Sequence, residues 1–173
     1  MNHKLSFLIK QDALRYNKHV IPLYVYFTRP EFRYVFWLRC LSSYKTNIFL
    51  KYTICIPIYM LLRHYEWKYG IHINSNIPIG PGLMVVHGGS VYVNVSQIGD
   101  NFTVYQDVTL GTSIGHEVPE IGNNVRVYAG AKVLGHIKLG DNVIVAANAV
   151  VTKSVEEGTV VMGVPAKPKY LRQ

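Results

Sequence analysis

An aliphatic residue returns every six positions through the second half of this chain. The series runs Ile73, Ile79, Val85 and Val91, and then, after one extra residue, Ile98, Val104 and Leu110. Ten residues intervene, "GTSIGHEVPE", before Ile121, Val127, Val133, Leu139, Val145 and Val151 resume it. Glycine follows the aliphatic residue at Gly80, Gly99, Gly111, Gly122 and Gly140. A second apolar or small residue falls four positions on, as at Leu83, Phe102, Val125, Ala131 and Ala149. A period of six suits no amphipathic helix, and simple alternation does not explain the glycines. It suits short strands joined by tight turns, and "GDN" and "GNN" clusters favour such turns and positive φ. Three units close a triangular coil, so thirteen units predict about four stacked coils with an aliphatic interior. The fold class read from this pattern is mainly β: a parallel β-helix of hexapeptide repeats behind an N-terminal α-helical leader.

Charge divides the chain at the same place as the repeat. Residues 1–70 hold 11 Lys/Arg and 3 Asp/Glu, whereas residues 71–173 hold 7 of each. We divide the chain into a basic, aromatic leader (1–70), a β-helix (71–165) and a C-terminal tail (166–173). Helices are expected near 4–16, at 31–44 and at 47–68, the last kinked near Pro57, with an irregular stretch around Pro22 and Pro30. The apolar run at 48–62 is shorter than the ~20 residues a span needs and is broken by Lys51 and Pro57. Cys40 and Cys55 form no CxxC pair, and the start shows no secretory signal, so a reducing, cytoplasmic setting is expected. No nucleic-acid-binding motif accompanies the basic leader, which leaves a solvated face or contact with an anionic membrane surface.

The register places His87. It stands two residues past Val85, outside the two interior positions of the unit, so it belongs on the outer wall or at a corner. Counting one coil at a time stacks Gln106, Ala129 and Ala147 above it. A row that ends in alanines, with a histidine at its foot, suits a long thin ligand. Left open are a surface histidine without a role and a zinc ligand shared with His116 and His136, although no cysteine or carboxylate set accompanies these three.

The repeat resembles the hexapeptide acyltransferases with left-handed parallel β-helices. The likeness rests on "IGPGLMVVHGGSVYVN", "VYQDVTLG", "IGNNVRVYAGAKVLGHIKLGDNVIVAANAVV" and "GVPAK". Within them the second part looks most like the serine acetyltransferase-like branch, which includes capsular and exopolysaccharide O-acetyltransferases. "RPEFRYVFWLR" and "LLRHYEWKYGI" resemble the leader of the polysaccharide-type members. The resemblance implies the left hand, a homotrimer or a dimer of trimers, and acetyl-CoA as acetyl donor in a groove between subunits, with no metal. It implies His87 as general base for a hydroxyl attacking the thioester, which neutral imidazole suits at physiological pH. A backbone N–H would meet the oxyanion. Gly111, Thr112, Ala129 and Ala147 would line the pantetheine path, and Lys167 would meet a phosphate.

Three departures bear on the acceptor. Serine-specific members orient the catalytic histidine with an acid fifteen positions earlier; here that position is His72, the candidate support for His87. They also carry an acid just before that histidine, where Val86 stands. Their Arg-His-Pro is replaced by Glu117, Val118 and Pro119, which removes the bidentate partner of an amino-acid carboxylate. Tyr92, Asn94, Tyr105, Gln106, His116 and Glu117 are the substrate-contact candidates, with Thr112 and Ser113 in the projecting loop 111–120; Asp107 reads as a turn residue. The expected function is acetyl-CoA-dependent O-acetylation of a sugar of a bacterial surface polysaccharide (capsule, exopolysaccharide or O-antigen) or its lipid-linked precursor. The setting would be cytoplasmic, peripheral on the inner membrane face through residues 1–70. The alternatives are serine O-acetyltransferase of cysteine biosynthesis and an inert β-helical scaffold.

Overall fold

The computed structural model describes residues 4–17, 21–44, 54–113 and 115–169. Four helices precede the strands: α1 (Leu5–Tyr16), α2 (Pro22–Thr28), α3 (Pro30–Tyr44) and α4 (Cys55–Tyr69). The stretch between Pro22 and Pro30, expected to be irregular, is helix α2. Each proline sits at the start of a helix, where its missing N–H has no partner to lose. Helix α4 begins at Cys55, so Pro57 lies in its first turn and needs no kink. The expected start at 47 falls outside the described residues. No helix among the described residues is long and apolar enough to cross a membrane.

The repeat folds as a parallel β-solenoid with three faces. On the first face β1 (Ile71–Ile73), β3 (Val91–Val93), β6 (Thr109–Gly111), β9 (Lys132–Leu134) and β12 (Val150–Val151) stack in that order. The second face holds β4 (Gln97–Ile98), β7 (Glu120–Ile121) and β10 (Lys138–Leu139), extended by bridges Ile79↔Ile98 and Leu139↔Val155. The third holds β2 (Met84–Val86), β5 (Thr103–Tyr105), β8 (Arg126–Val127), β11 (Ile144–Val145) and β13 (Val160–Met162). Each face therefore carries five rungs, not the four that the hexad count suggests. The fifth is completed by Val155 and Val161, and Val155 escapes the period because it comes only four residues after Val151. The C-terminal tail folds back as β14 (Lys167–Lys169), antiparallel to β13.

Aliphatic side chains fill the interior: Val85, Val104, Val127, Val145 and Val161 form one buried column. The glycines at the corner between the second and third faces have a steric cause. A Cβ on Gly80, Gly99, Gly122 or Gly140 would lie 2.3, 2.6, 2.5 or 2.7 Å from the next coil. Positive φ at this corner falls two residues later, on Gly82 and Gly158 in the first and last coils (φ 84 and 68) and on Asn101, Asn124 and Asn142 between them (φ 56, 55 and 59), whose side chains tolerate it. The asparagine amides form a ladder: Asn101 donates to Asn124 at 3.1 Å and Asn124 to Asn142 at 3.2 Å.

The leader closes the open lower end of the stack. An unpaired strand edge leaves N–H and C=O groups without partners and invites other strands. Tyr16 of α1 accepts from the Val85 N–H and donates to the Val85 carbonyl, both at 3.0 Å. Tyr34 of α3 treats Ile73 alike, accepting its N–H at 2.8 Å. Asp12 accepts the N–H groups of Gly82 and Leu83 at 2.9 and 2.8 Å. Arg39 donates to Asp12 through Nε at 2.8 Å and to the carbonyls of Ile79 and Gly80 at 2.7 and 2.6 Å. Four side chains thus replace the missing coil on all three faces, and burial raises both tyrosine hydroxyls above their ordinary range.

Candidate active site

His87 lies at the corner between the third and first faces, exposed, with φ 63. Few L-residues hold positive φ, and such strain gathers at functional positions. The cause is an insertion. Val85 pairs with Val104, but Val93 pairs with Leu110, so eight residues span this corner in the first coil where six span it in the next. Counted back from β3, the residue beneath Gln106 is Gly89. The Asp107 N–H donates to the Gly89 carbonyl, the Gly130 N–H to that of Gln106, and the Asn148 N–H to that of Ala129. The stacked row is therefore Gly89, Gln106, Ala129 and Ala147. His87 and Gly88 bulge out below it, which corrects the direct stacking of Gln106 on His87. The extra residue in the sequence count is the sum of this two-residue insertion and a one-residue shortening between Val93 and Ile98.

Helix α4 fixes the bulge from below. Its last carbonyl, Tyr69, accepts the Gly89 N–H at 2.7 Å, and the Val91 N–H donates to Gly70, the left-handed residue that ends the helix. A Cβ on Gly88 would lie 2.7 Å from the Tyr69 carbonyl oxygen, so this residue must be small. The partly negative carbonyl end of α4 thus lies against the loop that carries His87. Among the described residues no hydrogen bond or ion pair holds the His87 imidazole.

His72 has other company. It stands beside Tyr92 on the first face, ring centroids 5.2 Å apart and nearly parallel, and its Nδ1 lies 3.3 Å from Oε1 of Glu66 in α4. Glu66 is buried and also binds Arg63. Glu66 was missing from the candidates read from sequence, although an acid one helical turn before a helix end that leads into β1 is a usable signal. The Tyr92 ring reaches across to Gly111, where a Cβ would lie 3.8 Å from it. Asn94 accepts from Asn74 at 3.0 Å, and Tyr105 stacks on Tyr128 at 4.8 Å on the third face. Ala129 is half-buried and Ala147 exposed, so the row opens upward. Lys167, exposed on β14, pairs with Met162 at the upper end of the third face.

Gln106 carries an unusual atom: its Oε1 is buried and has no hydrogen-bond partner. An orphaned acceptor of this kind costs stability unless a ligand or partner supplies a donor. Asp107 has φ 58, as a turn residue does. Thr112, Ser113, His116 and Glu117 lie at a different corner, between the first and second faces, and all are exposed. Glu117 meets His136 at 3.2 Å, and His116, Glu117 and His136 line a cleft of about 390 Å³. Among the described residues of the loop, one chain therefore sets Thr112, Ser113, His116 and Glu117 at a different corner from His87.

A family model described as bacterial transferase hexapeptide (six repeats) matches residues 119–153. The serine acetyltransferase of Staphylococcus aureus (strain Mu50) is 47% identical over 100 residues, 56% of this chain and 47% of the relative. That of Staphylococcus epidermidis is 46% identical over the same length. The crystal structure of Neisseria gonorrhoeae serine acetyltransferase in complex with serine superimposes with a TM-score of 0.76 at 26% identity, covering 96% of this chain and 69% of that one. The likeness is to serine acetyltransferases. This chain spans about half the length of the curated relatives it matches. Solenoid and helical leader alike are covered by the structural match, so the end-capping helices belong to the shared architecture.

Proposed function

We propose that this chain is an O-acetyltransferase that uses acetyl-CoA, with His87 as general base. The observation that carries this reading is the bulge itself: an unpaired, exposed histidine held at φ 63, below a row that narrows to alanine. The acyl donor suits the corner. Gln106 Oε1 offers an unused acceptor, and a pantetheine arm brings amide N–H donors; Ala129 and Ala147 leave room for the arm. In the reaction the imidazole takes the hydroxyl proton as that oxygen bonds to the thioester carbonyl carbon. The tetrahedral intermediate then expels the thiolate, which takes the proton back from the imidazolium. The carbonyl end of α4 favours the positive imidazolium, in place of the carboxylate absent at position 72. The separation of His87 from the loop 111–120 supports a site built between chains, as a trimer would build it, with the loop of one copy facing the histidine of the next.

For the acceptor we put L-serine first, because the relatives above bear that activity in their names. A specific observation favours a second reading, a sugar hydroxyl of a bacterial surface polysaccharide or its precursor. The loop 111–120 has no lysine or arginine and carries Glu117 and Glu120, so it offers no cation to a serine carboxylate. Thiol release from acetyl-CoA, measured against L-serine and a panel of sugars, separates the two. Serine turnover that falls ~10²–10⁴-fold in His87→Ala supports the first reading in full. Sugar turnover without serine turnover replaces it with the second. Release that persists at the wild-type rate in His87→Ala removes the histidine from the mechanism.

A further inference from the structure

The helical leader shows water the wrong side chains. Helix α2 carries no charge, and Leu23, Tyr24 and Phe27 are exposed, with Ile21 just before them; only Val25 is buried. Helix α4 buries one stripe (Cys55, Ile58, Leu62 and Glu66) against α3 and the first coil. A second stripe, Ile56, Met60 and Trp67 with Tyr59 beside it, faces solvent, and Trp67 is 80% exposed. Arg33 ties the two helices, donating to the Phe27 carbonyl at 2.8 Å and to the Tyr69 hydroxyl at 3.2 Å. Among the described large hydrophobic residues of the solenoid only Val164 is as exposed as these. Exposed apolar residues concentrated on two helices that Arg33 links mark a contact face.

The charges around it say what it contacts. Of the three acids in residues 1–70, Asp12 is buried on Arg39, Glu66 is buried on Arg63 and His72, and Glu31 is half-buried. Among the described residues of the leader the exposed charges are cations: Lys4 at the start of α1 and Lys10 within it, Arg29 at the end of α2 and Lys68 on α4, with Arg63 lying 5.7 Å from the Trp67 ring. A second copy of the same face would set cation against cation with no exposed acid to answer. An anionic bilayer offers apolar depth for the aromatic stripe and phosphates for the cations around it. We propose that α2 and α4 form a docking face for an anionic membrane surface, lying in the interface and not spanning it. Helix α4 ends at Tyr69, which holds the His87 loop, so a docked chain keeps that corner beside the bilayer. This last step rests on the acetyltransferase reading, whereas the docking does not and is measured without acyl donor.

The test is flotation of the full chain with phosphatidylglycerol/phosphatidylcholine vesicles and with pure phosphatidylcholine vesicles. Binding to the anionic vesicles alone is expected, weakened by salt as the Debye length falls below ~10 Å. The double variant Phe27→Ser/Trp67→Ser should bind at least about tenfold more weakly. Both side chains are exposed, so its circular dichroism and melting temperature should match the wild type. No flotation with the anionic vesicles overturns the proposal, as does a double variant that floats like the wild type. A double variant that lowers the mass seen by light scattering and leaves flotation unchanged assigns the face to a second copy instead.

Discussion

Two corners of the solenoid are made from similar residues and serve opposite ends. At the corner between the second and third faces, the three inner coils repeat glycine, a polar residue and asparagine, and the amides of Asn101 and Asn124 each find the asparagine above. At the corner between the third and first faces the first coil gains two residues, a histidine holds positive φ, and a glutamine carbonyl is buried without a partner. The first corner uses its side chains to keep the coils in register. The second leaves them unused by the fold, which frees them for a ligand.

The largest break in this contrast comes from exchanging the corners' roles. Excising His87 and Gly88 restores the six-residue span and should abolish thiol release as fully as His87→Ala, ~10²–10⁴-fold, with the solenoid's circular dichroism retained. Gly99→Ala should do the reverse. Its Cβ would lie 2.6 Å from the backbone of Gly122, and displacing that coil should cost ~1–3 kcal/mol while the folded fraction keeps its specific activity. Urea unfolding beside the activity assay reads both. A stable, fully active excision variant would remove the bulge from the chemistry.

A finer test uses one side chain at each corner. Asn124 gives one amide hydrogen bond and accepts another at φ 55, so Asn124→Leu should destabilise by ~1–2 kcal/mol. Gln106→Leu removes an acceptor that the fold leaves unpaired. It should be neutral or stabilising by up to ~1 kcal/mol and should raise the KM for acetyl-CoA about fivefold. Equal destabilisation by both variants would show that Gln106 serves the fold after all.

The same two corners show how far the sequence could be read. The regular one is legible because glycine and asparagine recur at fixed places, although the cause of the glycines, close approach and not positive φ, needs the neighbouring coil. The irregular one misleads because Val91, Val93 and Val95 are all buried. With apolar residues at every second position, the hexad can be counted through Val91 as easily as through Val93, and only the pairing of Val93 with Leu110 decides. The error moves the stacked row by two residues and hides the bulge. His87 itself was still found, since neither count puts it inside. Helix α2 was missed because β-branched and aromatic residues between two prolines carry little helical signal, and its packing on α1 and α3 overrides that propensity. The end caps were illegible for another reason. Tyr16 with Val85, Tyr34 with Ile73 and Asp12 with Leu83 are pairs distant in sequence, and no local pattern announces them.

The smallest effect expected is in acid, and it belongs to the regular corner. Asp141 accepts the Asn123 N–H at 2.7 Å and an amide hydrogen of the same residue at 3.1 Å, and these bonds hold its carboxyl below the usual range. Nearby on the second face, the Lys138 ammonium does the same for Glu120. A carboxyl with a lowered folded pKa stabilises the fold fully above its unfolded value, about 4, and loses that contribution as pH falls through the folded one. Asp141→Asn keeps the side chain's shape and removes its titration. Urea midpoints of wild type and Asp141→Asn should therefore differ slightly between pH 7 and 5 and converge as pH drops below ~4. Both residues are half-buried with carboxyls that water reaches, so the gap should be small and should shrink further in salt. A constant gap from pH 7 to pH 3 would mean that Asp141 holds the ladder by shape alone, and the regular corner would then owe nothing to charge.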